Sequence, residues 1–207
     1  MLVELQNIAK RFRKEWVFRE LNLQLQAGSH TAVLGNNGSG KSTLLQLISG
    51  YASPSDGTIT WHKQTQVIPR EDVYRYVAIC SPAVQVWDDL TLRENIDLFQ
   101  QFKKLPSCTS ADSFAEAIHL ERHLHQPLKT FSSGMKQRVK LGLTILSDAD
   151  LLLLDEPCSH LDASAVQWFQ ELIERTAKGR TMVIASNRDQ RETFSCSQEV
   201  DIHEFKR

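Results

Sequence analysis

Residues 35–42 read Gly-Asn-Asn-Gly-Ser-Gly-Lys-Ser, a spacing suited to holding phosphate. Gly35, Gly38 and Gly40 leave room for consecutive backbone N–H groups to converge on one anion, where a Cβ would block the turn. Asn36, Asn37, Ser39 and Thr43 complete the candidate loop. Lys41 is placed to reach the β- and γ-phosphates, and the Ser42 hydroxyl to ligate Mg²⁺. The flanks match this chemistry. Residues 30–34 form a short apolar strand entering the loop, and residues 42–51 carry helix-spaced leucines leaving it. Phosphate then meets a helix N-terminus, whose free N–H groups and dipole favour anions. The expected ligand is a nucleoside triphosphate, read as ATP, with Mg²⁺.

A second constellation lies at residues 149–156, Ala-Asp-Leu-Leu-Leu-Leu-Asp-Glu. Four consecutive leucines suit a strand buried on both faces, and acids at its C-terminal end stand where α/β sheets place ligands. Asp155 is the candidate to hold Mg²⁺ through water, and Glu156 to orient and polarise the attacking water. Upstream, residues 131–138 (Phe-Ser-Ser-Gly-Met-Lys-Gln-Arg) open a helix. Ser132 or Ser133 can cap it, and the N–H groups behind Gly134 form a second anion site.

These sites need a frame. Alternating apolar residues predict antiparallel strands at 2–8, 21–25 and 57–61, and a further strand at 73–79. Thr91-x-x-Glu94 is a capping box opening a helix over 91–102 with Leu92, Ile96 and Phe99 on one face. A helix from Ser133, a strand at 151–154, an amphipathic helix after Asp162, a strand at 181–186 and a strand-like stretch at 200–205 complete the chain. The expectation is a single α/β domain of P-loop NTPase (RecA-like) type. Residues 1–82 and 147–207 form the core with an antiparallel β lobe, and 83–146 a helical insert that includes the helix opened by Ser132–Gly134.

The 24 basic and 25 acidic residues nearly cancel, which leaves no global field for nucleic acid. No apolar run approaches a membrane span, and the charged, alternating N-terminus does not read as a signal peptide. Cys80, Cys108, Cys158 and Cys196 fit no zinc or haem spacing and read as reduced, buried or half-buried thiols of a cytoplasmic protein.

Taken together the motifs resemble the ATP-binding cassette family, the nucleotide-binding subunits of ABC transporters, over essentially the whole chain. Residues 35–43 look like its phosphate loop and residues 151–156 like its Walker B strand. Residues 131–135 are similar to the L-S-G-G-Q signature, with Ser133 for the first glycine and Met135 for glutamine. Residues 159–162 (Ser-His-Leu-Asp) look like the D-loop, and Phe12 takes the place of the aromatic that stacks on adenine. The resemblance implies two ATP molecules sandwiched between two subunits, read as a homodimer. Lys41, Ser42, Asp155 and Glu156 of one chain would face Ser132 and Gly134 of the other, with Asp162 nearby. It also implies a separate integral membrane permease and a peripheral position on the cytoplasmic membrane face.

Two positions depart from the family pattern. Pro82 aligns with a glutamine that touches Mg²⁺ and water, and Gln85, about 10 Å further along an extended chain, is too far to replace it. Asn187 stands where a histidine holds the γ-phosphate, and an amide cannot become cationic. Glu156, Lys41 and Asn187 are therefore the catalytic candidates, with slow turnover expected. A weakly hydrolysing ATP-dependent switch and a soluble non-transport ABC ATPase are the alternatives. The chain ends soon after its last strand-like segment, so no appended regulatory module is expected.

Overall fold

The computed structural model describes residues 1–205. Its first layer grows from a long hairpin. β1 (Leu2–Phe12) and β2 (Glu15–Leu25) pair antiparallel about Arg13, whose φ of 54° makes the turn. β4 (Asp56–Lys63) joins the other edge of β1, and β5 (Gln66–Ile68) follows, giving the order β2-β1-β4-β5. Alternation along β1 breaks at a bulge, where Asn7 takes φ 51° and its N–H donates to Asn22 Oδ1 at 2.8 Å. The extra residue lets adjacent Ile8 and Ala9 both be buried.

The second layer is parallel, in the order β6-β7-β8-β3-β9: β6 (Val77–Cys80), β7 (Leu151–Asp155), β8 (Thr181–Ser186), β3 (His30–Leu34) and β9 (Gln198–Asp201). Successive side chains of β7 point to opposite faces, and both faces are covered. Leu151 and Leu153 pack toward α1 (Lys41–Ile48) and the antiparallel sheet. Leu152 and Leu154 pack toward α4 (Ser133–Ile145) and α5 (Ala163–Thr176). That is why the apolar run has no polar alternation.

After β6 come α2 (Leu92–Gln100) and α3 (Ala111–Ala117). Thr91 and Glu94 form the predicted capping box, with Leu92 and Ile96 fully buried and Phe99 packed against the core. Two expectations need correction. Residues 73–79 are not one strand: a 3₁₀ helix spans Arg70–Arg75 and β6 starts only at Val77. Pro69 opens that helix, and Glu71 and Asp72 suit its first turn. The stretch 200–205 likewise splits after β9, because Asp201 Oδ1 accepts the His203 N–H at 3.0 Å and turns the chain into a 3₁₀ helix at Ile202–Phe205.

The thiols of Cys80, Cys108 and Cys158 are buried and that of Cys196 half-buried, all unpaired. No helix among the described residues is long and apolar enough to cross a membrane.

Candidate nucleotide site

β3 delivers the chain to Gly35, whose N–H donates to Ser186 O at 3.3 Å and ties the loop to the end of β8. Two glycines are forced by close approach. A Cβ on Gly35 would lie 2.5 Å from Ser39 Oγ, and one on Gly40, at φ 107°, would lie 2.4 Å from Val17 Cγ1. Gly40 caps α1 without a side-chain acceptor, so the first-turn N–H groups stay available to an anion.

Lys41 is 4% exposed, and its Nζ donates to Gly35 O at 2.8 Å and Asn36 O at 3.2 Å. The same ammonium stands 3.4 Å from Glu156 Oε1. The two constellations of the sequence therefore meet. Asn37, Gly38, Ser39, Gly40, Lys41, Ser42, Thr43, Glu156, Phe12 and Val17 line one cavity of about 370 Å³. Phe12 lines it from the end of β1 and is 55% exposed, with Lys10 Nζ 5.2 Å from its ring centroid. Gly35 and Asn36 brace Lys41 from behind and do not line the wall.

Asp155 ends β7 and is 3% exposed; its Oδ2 has no hydrogen-bond partner. Burial pushes its carboxyl above the ordinary value. The Ser42 hydroxyl opposes this, the Glu156 charge adds to it and the Lys41 charge opposes it. A free carboxylate oxygen beside a hydroxyl fits a small hard cation. No group of three or more His, Cys, Asp or Glu side chains placed to hold a metal occurs among the described residues. Mg²⁺, which keeps several waters and takes substrate phosphates as ligands, needs no such cage. Glu156 has φ 47° and its N–H donates to Ala185 O at 2.9 Å, so the chain turns sharply and aims this carboxylate back at Lys41.

The signature-like residues lie elsewhere. Ser132, Ser133, Gly134 and Asp162 line a separate cavity of about 330 Å³ with Met135, His160 and Arg138, which shares no residue with the first. Ser132 is the cap, its Oγ accepting the Met135 N–H at 3.2 Å. A Cβ on Gly134 would lie 2.9 Å from His160 O, so the loop before α5 sits directly on the start of α4. Asp162 caps α5, and the Ala165 N–H hydrogen bond holds its carboxyl below the ordinary value.

Asn187 is exposed just beyond β8 and lines neither cavity. Pro82 borders a small cavity of about 130 Å³ beside Ser42 and Asp155 and also the groove that holds Gln85, Val86, Ser133 and Lys136; Gln85 lines only the latter. A larger cavity of about 800 Å³, lined from Pro106 to Arg180, contains none of these residues. Sequence reasoning missed the buried Glu192, which accepts Cys158 N–H at 3.0 Å and Ser186 Oγ–H at 2.5 Å and ties the segment after Glu156 to the end of β8. It also missed His203, whose Nε2 accepts the Asn36 N–H at 3.3 Å. Nothing in the local spacing marks either one.

A strand–glycine loop–helix unit with a buried lysine, joined to a carboxylate-tipped central strand, defines a P-loop nucleoside-triphosphate-binding domain. Within that class the chain belongs to the ABC transporter family, whose profile matches residues 18–159, and it is an ABC ATPase domain. It is 31% identical over 189 residues to the cytochrome c biogenesis ATP-binding export protein CcmA of Brucella abortus, covering 90% of this chain and 85% of that protein. It is 29% identical over 194 residues to the mouse ABC-type organic anion transporter ABCA8B, covering 89% of this chain but spanning only 12% of that relative's length. A solved ATP-binding subunit of an ABC transporter superposes with a TM-score of 0.81 at 25% identity, over 97% of this chain and 85% of that one.

Proposed function

We propose that this chain is the ATP-binding and ATP-hydrolysing subunit of an ABC transporter that drives a separate permease by dimerising on ATP. The carrying observation is that the phosphate loop and the signature-like segment occupy two cavities with no residue in common. Two copies facing head to tail bring Ser132, Ser133 and Gly134 of one, with Asp162 alongside, onto the phosphates held by Gly35–Thr43 of the other.

In that reading Phe12 stacks on the base, the loop N–H groups and Lys41 hold the phosphates, and Glu156 orients the attacking water. Lys41, released from the Gly35 and Asn36 carbonyls, turns its charge to the γ-phosphate. Ser42 and Asp155 would hold a Mg²⁺ ion, which would supply charge neutralisation to the bound phosphates. Asn187 offers one amide hydrogen bond to the γ-phosphate, and Pro82 offers none. Losing a preorganised donor typically costs about 2.7–4 kcal/mol of barrier. Turnover is slow but real. The exposed position of Asn187 favours a second reading, a switch that closes on ATP and barely hydrolyses it.

The helical insert, residues 83–146 of the single domain, carries the permease contact. Trp87 is 57% exposed and Val84 42% exposed, in the segment that also carries Gln85 and Val86 of the groove shared with Lys136. Trp87 does not pack under α2, and Val86 instead supplies that contact with the core. Buried Asn95 bonds both backbone polar groups of Trp87, at 2.9 and 3.0 Å, and so fixes the backbone that carries the exposed indole. The subunit works peripherally on the cytoplasmic membrane face and takes no nucleic acid.

Size-exclusion chromatography with ATP tests this. Glu156→Gln elutes as a dimer, and adding Ser132→Arg, which puts bulk and charge at the partner's phosphate, returns it to monomer. A monomer in both cases would overturn the dimer reading.

A further inference from the structure

Beside the nucleotide cavity lies the smaller one, about 130 Å³, lined by Ser42, Gln46, Ile79, Ser81, Pro82, Ala83 and Asp155. Ile79, Pro82 and Ala83 bring no side-chain polar atom to it. Ser42 and Asp155 stand on its edge as the pair placed toward Mg²⁺, and Asp155 Oδ2 is buried without a partner. Gln46 follows Ser42 by four residues on α1, so the two side chains share one helix face. The Gln46 backbone carbonyl is occupied, accepting Ser49 Oγ–H at 2.9 Å and Ala52 N–H at 3.0 Å. Its carboxamide takes no hydrogen-bond partner among the described residues. The amide therefore stands without a partner on a small space that it shares with Ser42 and Asp155 and that holds a few waters at most.

We propose that Gln46 is a positioning residue for the metal. Its carboxamide oxygen accepts from a metal-bound water, which orders the cation's outer shell on the side that Pro82 leaves bare. Ser81, the other polar residue of the cavity, has a much shorter side chain and sits at the end of β6. The proposal rests on the ATP·Mg²⁺ reading of the site.

The test is the affinity of Mn²⁺ for the full chain bound to a non-hydrolysable ATP analogue, read by electron paramagnetic resonance. A fluorescent ATP analogue in EDTA reports metal-free binding in parallel. Gln46→Met keeps length and helix propensity without the amide, Gln46→Ala guards against a packing effect, and Gln46→Glu restores an oxygen. Outer-shell partners typically contribute 10–100-fold in metal affinity. Gln46→Met and Gln46→Ala weaken Mn²⁺ by roughly tenfold, Gln46→Glu recovers it, and Ser81→Ala changes it less than twofold. Metal-free nucleotide binding is unchanged in all four. Mn²⁺ affinity within twofold of wild type in both Gln46→Met and Gln46→Ala, or a loss carried by Ser81→Ala instead, overturns the assignment. Absence of nucleotide binding in the wild-type chain would instead overturn the ATP reading beneath it.

Discussion

Replacing Asp155 by asparagine reverses sign with ligand. The carboxylate is 3% exposed, one oxygen lacks any partner, and burial raises its pKa. Folding the metal-free chain at neutral pH therefore strands a charge. Asparagine keeps the shape and removes that charge, and relieving an unsatisfied buried group is worth about 1–3 kcal/mol. Part of this is returned because the new amide N–H₂ meets the same partnerless space, so a net gain of about 1–2 kcal/mol is expected. For a domain of this size that raises Tm by roughly 2–8 °C.

The pH dependence follows from linkage. The folded carboxyl binds its proton more tightly than the unfolded one, at about 3.9. Its contribution to stability is fully present below that value and is lost as pH rises through the folded pKa. The variant's advantage is thus largest at pH 7–8 and vanishes on acidification. With Mg·ATP the order inverts. Ligand at 100 times its Kd stabilises the wild type by about 2.7 kcal/mol, and the variant, without an anionic metal partner, keeps little of it. Differential scanning fluorimetry across pH, with and without Mg·ATP, reads all of this. If Asp155→Asn lowers Tm in the metal-free protein, Asp155 is satisfied in the fold and the reasoning fails.

Trp87→Glu should detach the protein from permease-containing membranes while changing stability by no more than about 0.5 kcal/mol, since Asn95 holds the loop by its backbone; co-sedimentation and thermal melts check both halves. Asn187→His should raise kcat or leave it similar and Glu156→Gln should abolish phosphate release; destruction of activity by Asn187→His would mean the site is built around the amide. Burial pushes the thiols of Cys80, Cys158 and Cys196 to about 12, leaving a thiolate fraction on the order of one in ten thousand at pH 8. Iodoacetamide should therefore label these three only after unfolding, and rapid native labelling seen by mass spectrometry would contradict the packing.

Where short-range chemistry decides, the sequence was enough. Gly35–Ser42 specify a phosphate loop because only glycine tolerates the contacts at Gly35 and Gly40. The leucines of β7 specify a doubly covered strand, and Thr91, Ser132 and Asp162 announce their helices as caps, because capping is settled within three residues. The family, the α/β class and the sites of departure at Pro82 and Asn187 are read at that level. The tertiary structure decided what depends on which elements become neighbours. Parallel pairing of β7 with β8, and of β8 with β3, carries Glu156 to 3.4 Å from Lys41, although the two are far apart in sequence. The same packing buries Asp155 Oδ2, opens the Gln46 cavity, assigns the signature-like segment to a different cavity and brings His203 against the phosphate loop. Strand order, local 3₁₀ turns and side-chain exposure carry no fixed spacing in the chain. They arise from the competition of all apolar faces for the same two cores, and only folding resolves that competition.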